Sequence, residues 1–527
     1  MSGSPAAERS AADPERVAEA VARRCDGAPV TLHETHISWV FLAGERAYKL
    51  KKPIVLDFLD YGTVARRRAL CHEEVRLNAR LAAELYLGVS AVAERADRLE
   101  ISDESDLAAV DYVVEMRRYD EKATLAARVD AGLVSAGQMA PVGEMLARFH
   151  AECPPRLEAN GLAAVRHEVR QNLSELADAC ALPVMLARVT ALGRFLDAWI
   201  TAHAGLLEAR GRDGCVREVH GDLRAEHVIM SPRLSVVDCV EFDPALRTLD
   251  VADDLAFLVM DLTAHGVEPC AAALVAAYRR FGGDCGPDEL LWFYAVHRAL
   301  IRAKVALMRA AQGGMQATDH GLVAVAERCA WRARRAPALV VCGVPGSGKS
   351  HVASALHTMT GAPVVSSDVV RKELAGLAAD ERAPEAAYGA EPNERTYREL
   401  GRRAAEVMAV GAGVIVDATF RHRADREAFA GGWQNASGMV YVQCLAPADV
   451  LRHRGAAREL DPRRISDAGA GVVERERDRF DPLDETSAGR HLLLRTDRDV
   501  AEIVGDLLAL LDRRLGDEAV SDPARSP

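Results

Sequence analysis

The run Val340-Val341-Cys342-Gly343-Val344-Pro345-Gly346-Ser347-Gly348-Lys349-Ser350 has the residue types and spacing of a phosphate-binding loop. Glycines at 343, 346 and 348 let successive backbone N–H groups turn toward one polyphosphate. Lys349 is placed to reach the β- and γ-phosphates, and the Ser350 hydroxyl to ligate Mg²⁺. A second, dispersed set consists of His220-Gly221-Asp222-Leu223-Arg224-Ala225-Glu226-His227 and then Val236-Val237-Asp238. A His-x-Asp loop followed by an aspartate at a strand end offers two carboxylates for phosphoryl transfer. Asp222 would meet an acceptor hydroxyl, and Asp238 would hold a Mg²⁺ that bridges phosphates. Upstream, Lys49 or Lys51 is placed to contact the α/β-phosphates, and Glu74 or Glu73 to pair with that lysine.

These residues need elements to hold them. Ala338 to Cys342 reads as a buried strand, and His351 to Met359 as a helix whose N-terminus faces the anion. Further strands are expected at Pro363 to Ser367, Val414 to Asp417, Met439 to Cys444 and His491 to Leu494. Strands alternating with helical segments predict a parallel sheet covered on both faces, with ligands beyond the carboxyl ends of the strands. Asp368 follows the second strand and is placed to take a proton from an acceptor hydroxyl; Arg371 is placed to hold an acceptor group. Asp417 ends the third strand and is placed either to hold the Mg²⁺ shell through water or to bind the acceptor. Arg452, Arg454, Arg458, Arg463 and Arg464 follow the fourth, where arginines on a mobile lid would neutralise transferred charge, Arg454 and Arg458 foremost.

The N-terminal part reads differently. Ile37 to Leu42 and Ala47 to Leu50 form a hairpin pattern about Gly44. Val64 to Leu85 is helical, and Val89 to Ala93 and Tyr112 to Met116 are further strands. The expectation is a small antiparallel sheet with one helix packed on it, then a mainly helical stretch from Leu125 to Ala336. The charged run ending at Pro337 marks a junction. The domain reading is a disordered segment over 1–14, an α+β domain over 15–335, an α/β domain over 336–515 and a disordered tail over 516–527.

Composition bounds the partners. The 527-residue chain is 49 % hydrophobic and 27 % charged, ordinary for a globular multidomain protein. Its formal net charge of -12 weighs against nucleic acid as a general partner. The 11 cysteines have no Cys-x-x-Cys spacing, which reads as reduced thiols in a cytoplasmic protein. No signal peptide or membrane-length apolar run is seen.

The stretch from Ala338 to Leu511 resembles the small P-loop kinases that include gluconate kinase-like, zeta toxin-like and polynucleotide 5′-kinase-like enzymes. The resemblance rests on the Gly343 to Ser350 loop, Ser367-Asp368 with Arg371, Val416-Asp417-Ala418-Thr419, and Ser466-Asp467-Ala468. It implies phosphoryl transfer from ATP to a hydroxyl, with Asp368 as base. Residues 36 to 310 resemble the aminoglycoside phosphotransferase-like kinases, which share a protein kinase-like fold. The whole chain is similar to bacterial two-domain proteins in which such a domain is fused to a P-loop kinase or AAA-type ATPase domain. The stretches that carry this are Leu56-Asp57-Phe58-Leu59-Asp60-Tyr61, Glu74 to Asn78, Asp238 to Asp243, Asp253 to Leu258 and Met260-Asp261-Leu262. The family's loop ends in an asparagine that helps bind Mg²⁺, and this chain has His227 at that metal-ligand position. Metal binding then rests on Asp238 alone or with Glu241, or the domain serves as a binding or regulatory module. The reading is an ATP- and Mg²⁺-dependent phosphotransferase acting on a small-molecule hydroxyl. The alternatives are an ATPase switch coupled to an inactive kinase-like module, and a polynucleotide 5′-hydroxyl kinase.

Overall fold

A computed structural model describes residues 12–56, 59–157, 161–312, 320–335, 337–378, 381, 383–433, 438–459, 480–484 and 490–521. The chain separates into two compact units, Met1–Ala164 with Leu206–Gly286, and Val165–Gly205 with Pro287–Pro527. This division differs from the junction read at Pro337. The helices Pro183–Ala202, Asp288–Gln312 and His320–Ala333 group with the parallel-sheet unit.

The first unit is built on an antiparallel sheet of six strands. They are β1 (Val30–Glu34), β2 (Ser38–Ala43), β3 (Arg46–Lys51), β6 (Tyr86–Arg95), β7 (Arg98–Ser102) and β8 (Ala109–Arg117), in the order β1-β2-β3-β8-β6-β7. Short pairs complete it: β4 (Val55–Leu56) with β5 (Leu59–Asp60), β10 (Val228–Ile229) with β11 (Ser235–Val236), and β12 (Thr248–Asp250) with β9 (Val216–Glu218). The sheet was expected to carry one helix; it carries one on each face. Pro14–Arg24 packs its Val17 and Val21 with Phe41, Tyr48 and Leu50. Val64–Ala82 packs Cys71 with Ala47, Tyr112 and Val114 on the other. Alternation explains the split: Tyr48 and Leu50 point one way, Ala47, Lys49 and Lys51 the other.

One buried fork fixes the second helix. The Arg67 guanidinium donates to both Asp111 carboxylate oxygens at 3.0 and 2.9 Å, and both side chains are fully buried. Seven residues is about two turns, so Glu74 emerges on the same helix face as Arg67. Lower in the unit, the helix Val251–Ala264 is almost wholly buried although it contains Asp253, Asp254 and Asp261. Asp250 caps it, accepting from the Ala252 N–H at 2.8 Å, and is gripped by Arg210 at 2.5 and 2.7 Å.

The second unit has a five-stranded parallel sheet, β13 (Ala338–Cys342), β14 (Val364–Ser366), β15 (Val414–Asp417), β16 (Met439–Leu445) and β17 (His491–Arg495), in the order β14-β15-β13-β16-β17. Every residue of β13 is buried, as a central strand covered on both faces requires. One layer is formed by Trp331, Leu356 and Leu507, the other by Tyr397, Leu400 and Phe429. The last helix, Val500–Ser521, runs past residue 516, where a disordered tail was expected. None of the 11 cysteines is in a disulfide. Among the described residues no helix is long and apolar enough to cross a membrane.

Candidate functional site

Three segments of the first unit meet at one lysine. Lys49, on β3, lies 2.9 Å from Glu74 of the helix Val64–Ala82 and 2.7 Å from Asp238. Burial opposes the Lys49 charge, but Asp238, Glu74 and Glu241 outweigh it and hold the ammonium well above its ordinary range. The Lys49 charge in turn holds the Asp238 carboxyl well below the usual carboxylate range. Lys51 points the same way but is fully buried, 2.6 Å from Glu74 and in close contact with Glu241. Tyr61 donates its hydroxyl to Glu241 at 2.5 Å. Lys49, with part of its side chain exposed and Asp238 beside it, is therefore the lysine placed to meet a ligand; Lys51 braces the interior. Glu73 is engaged by Arg76 and Arg247, which leaves Glu74 as the partner. Glu241 is engaged by Lys51 and Tyr61, so the option of Glu241 joining Asp238 at a metal is not assembled.

The His220 to His227 segment is held from beneath. Asp254 accepts the backbone N–H groups of His220 at 3.2 Å and Gly221 at 2.8 Å, and Asp261 accepts that of Ala225 at 2.9 Å. The His150 ring lies 3.0 Å from Asp254 and 2.8 Å from the Tyr278 hydroxyl, which fixes that carboxylate. Gly221 has φ +84°, and a Cβ there would lie 2.6 Å from the Leu246 carbonyl, so glycine is required. The strand β11 stops at Val236, two residues before Asp238. Asp238 has φ +66°, a strained value for a non-glycine residue, and its N–H donates to the Tyr86 hydroxyl at 3.3 Å.

Arg224 grips the Asp222 carboxylate with two hydrogen bonds, 2.9 and 2.8 Å long. Burial pushes the Asp222 carboxyl up, but His227 and Arg224 outweigh it and leave it below its ordinary range. Arg224 Nη2 also lies 3.2 Å from His227 Nε2. A guanidinium only donates, so Nε2 accepts and the ring proton sits on Nδ1, which donates to the Asp222 carbonyl at 2.7 Å. His227 Nε2 is 3.8 Å from Asp238 Oδ2, so this histidine stands between the two aspartates.

A cavity of about 660 Å³ in the same unit is lined by Thr31, His33, Leu42, Glu45, Tyr119 and Lys122 among others. Burial and then the Asp238 charge push the Tyr119 hydroxyl up to about 12. Neither the cavity nor Arg224 was foreseen from sequence. Arg224 could have been found by its place two residues after Asp222. The cavity could not, because β1 was missed.

In the second unit the strand order β14-β15-β13 places three sequence-predicted sites on one edge. Ser366 of β14 and Val341 of β13 are both in register with Asp417, the last residue of β15. The loop from Gly343 to Ser350 leaves β13 and enters the helix Lys349–Thr360, whose N-terminus has no side-chain cap. Gly343, Gly346 and Gly348 all have positive φ. A Cβ on Gly343 would lie 2.6 Å from the Cys444 carbonyl. The Ser347 hydroxyl is buried without a hydrogen-bond partner. A glycine loop of this curvature, opening an uncapped helix, fits a polyphosphate. Lys349 folds back over it and donates to the Val344 carbonyl at 3.1 Å.

Asp368 is half-buried in the first turn of the helix Ser367–Leu374. Arg371 is buried, donates to the Ala387 carbonyl at 3.0 Å, and lies 4.6 Å from the Tyr388 ring centre, with its Nε buried and unpaired. Arg454 differs from the lid arginine expected. It sits on the helix Ala448–Glu459 and donates to the Thr496 carbonyl at 2.6 Å and the Gly346 carbonyl at 3.4 Å. The Thr496 hydroxyl donates to the Ser347 carbonyl at 2.6 Å. Arg454 thus braces the loop from its outer side. Arg452 is exposed. The side chain of Arg458, and Asp57, Phe58, Arg463, Arg464 and Ser466 to Ala468, lie outside the described residues.

A family model for an AAA domain matches residues 339–483, the segment carrying the loop. The chain is similar to solved kinases: a gluconokinase from Sinorhizobium meliloti 1021 (21 % identity, 36 % of this chain, 99 % of that one, TM-score 0.26) and a choline/ethanolamine kinase family protein from Mesorhizobium loti (15 % identity, 61 % of this chain, 93 % of that one, TM-score 0.35). Uncharacterized protein Rv2004c of Mycobacterium tuberculosis (strain ATCC 25618 / H37Rv) and uncharacterized protein Mb2027c of Mycobacterium bovis are each 34 % identical to it over 455 residues. The alignment takes in 82 % of this chain and 88 % of each relative. At that identity over that share of both chains, the chain belongs to the same family as these mycobacterial proteins.

Proposed function

We propose that the protein is an ATP-dependent phosphotransferase whose second unit moves the γ-phosphoryl group to a hydroxyl of a small molecule. The observation that carries this is the shared edge of β14, β15 and β13. It sets Asp368, Asp417 and the Gly343–Ser350 loop side by side at the carboxyl ends of three adjacent strands. The glycine loop holds the phosphates, and Lys349 leaves the Val344 carbonyl to reach the transferred group. Asp368 takes the acceptor proton, and Arg371 with Tyr388 forms one wall of the acceptor site. Ser350 and Asp417 are the residues that would hold Mg²⁺, which supplies neutralisation of phosphate charge. Binding a substrate beyond the loop, rather than water, is what separates this reading from a hydrolytic switch. The net charge of -12 favours a small acceptor over a polynucleotide.

The first unit is a second nucleotide site in this reading. The cavity by Tyr119 takes the base, Lys49 and Glu74 orient the phosphates, Asp238 faces the metal and Asp222 the acceptor. Arg224, released from Asp222, is placed to neutralise the transferred phosphoryl group.

A γ-phosphate transfer screen over hydroxyl-bearing metabolites tests the proposal on the intact protein, Lys349→Ala and Asp222→Ala. Transfer lost in Lys349→Ala and retained in Asp222→Ala is expected for the main activity. The reverse pattern assigns that activity to the first unit and overturns the proposal.

A further inference from the structure

The phosphate loop of the second unit leans on a residue that no sequence pattern marked. Thr496 directly follows β17, is 1 % exposed, and donates its hydroxyl to the Ser347 carbonyl at 2.6 Å. The Leu445 carbonyl lies 3.1 Å from the same hydroxyl but already accepts the Thr496 N–H at 2.9 Å. A hydroxyl has one proton to give, so it is left for Ser347. Arg454 donates to the Thr496 carbonyl at 2.6 Å and holds the residue in place.

Two successive peptides of the loop are held differently. The Gly346–Ser347 peptide is engaged at both ends. Its carbonyl accepts from Arg454 at 3.4 Å, and its N–H donates to the Val344 carbonyl at 3.1 Å. In the Ser347–Gly348 peptide the carbonyl accepts from Thr496, while the Gly348 N–H has no partner among the described residues. That peptide is trans, so its N–H points away from its carbonyl. A carbonyl tied to Thr496 therefore turns the Gly348 N–H to the opposite side. Gly348 has φ +87°, and a Cβ there would lie 3.3 Å from the Thr496 Cβ, so the loop packs closely on Thr496 at this point.

Backbone N–H groups are the donors with which such a loop cradles the phosphates beyond the first. We propose that Thr496 is a positioning residue for nucleotide binding: by holding the Ser347 carbonyl, it presents the Gly348 N–H to the β-phosphate. This role presupposes that the loop of the second unit is a nucleotide site. Recognition of the β-phosphate then depends on a hydroxyl 149 residues away in the chain.

ADP and AMP binding to full-length Lys49→Ala protein, in which the first unit's nucleotide site is disabled, tests this by calorimetry. Thr496→Val swaps the hydroxyl for a methyl and leaves the Ser347 carbonyl unpaired, so ADP affinity should fall about tenfold or more. AMP lacks the β-phosphate, and its affinity should change by less than about twofold. Thr496→Ser keeps the hydroxyl and should bring ADP affinity back to within about threefold of the parent. Equal losses for ADP and AMP, unchanged ADP affinity in Thr496→Val, or no recovery in Thr496→Ser each overturns the proposal. Glycine-selective ¹⁵N labelling of the parent decides even where Thr496→Val does not fold. The Gly348 amide resonance should shift with ADP and stay in place with AMP; a resonance that ADP leaves unmoved overturns the proposal. A parent that binds no ADP overturns the nucleotide-site reading and this role together, whereas a parent that binds ADP and fails the other measures overturns this role alone.

Discussion

In the function proposed above, the two units hold a polyphosphate with opposite materials. The second unit uses backbone. The Gly343 to Ser350 loop curves through three glycines of positive φ, and Arg454 and Thr496 brace it from outside. The first unit uses side chains. Lys49, Glu74, Asp222 and Asp238 come from places up to 189 residues apart, and only the folded sheet brings them together. A backbone cradle tolerates little change in shape and much change in neighbouring charge. A side-chain cluster is the reverse: its shape is soft, and its charges depend on one another.

The largest expected effect tests this contrast directly. Lys349→Ala should lower second-unit transfer by about 10²–10³-fold, the scale of losing one charge-stabilising donor. Lys49→Ala should leave that activity unchanged and abolish nucleotide protection of the first unit, read by hydrogen exchange. Equal losses in both assays would mean that the units share one site.

Next in size is a pair of variants within the first unit. Lys51→Met removes one partner of a fully buried ion cluster and strands Glu241, which should cost about 3–5 kcal/mol of stability in urea unfolding. Lys49→Met, partly exposed, should shift the midpoint far less. If Lys49→Met is the more destabilising, the division into a functional and a bracing lysine is wrong.

Gly343→Ala should be milder for stability and severe for nucleotide binding. Its Cβ meets a carbonyl at 2.6 Å, so the loop must move. ATP affinity should fall at least about tenfold with the fold retained, as calorimetry on the intact protein would show. Preserved affinity would mean that the loop's shape is not what binds.

The smallest effect concerns pH. A base must be ionised to accept a proton, so Asp222-dependent transfer is lost as pH falls through the Asp222 pKa. His227 and Arg224 hold that pKa below the ordinary aspartate range. Arg224→Met removes one of them, so the acid limb of the profile should move to higher pH. A shift to lower pH, or none, would show that Arg224 does not act on Asp222.

The same contrast explains what the sequence revealed. The loop was legible because its residues are contiguous and each has one chemical reason to be there. All five strands of the parallel sheet were read within about two residues, since buried parallel strands are continuous apolar runs. Lys49 and Lys51 could not be told apart, because residues two apart share a strand face. Glu73 and Glu74 were settled only by the Arg67–Asp111 fork, which sets how the helix is rotated. The strand β1 escaped notice because most of it is exposed, Leu32 included, so its short alternation marks no buried face. Asp254 carries no local sign of its role. An aspartate in an apolar helix becomes intelligible only when the amides of His220 and Gly221 are seen to need it.

That aspartate has a consequence for motion. Asp254 and Asp261 pin the His220–His227 segment at both ends to a helix that is itself wholly interior. The segment can shift only if the helix does. Opening of the first unit is expected to fall mainly on the sheet side, which carries Lys49 and Glu74. The amides of Gly221 and Ala225 should be among the last in that unit to exchange with solvent, however often the sheet opens to admit a ligand.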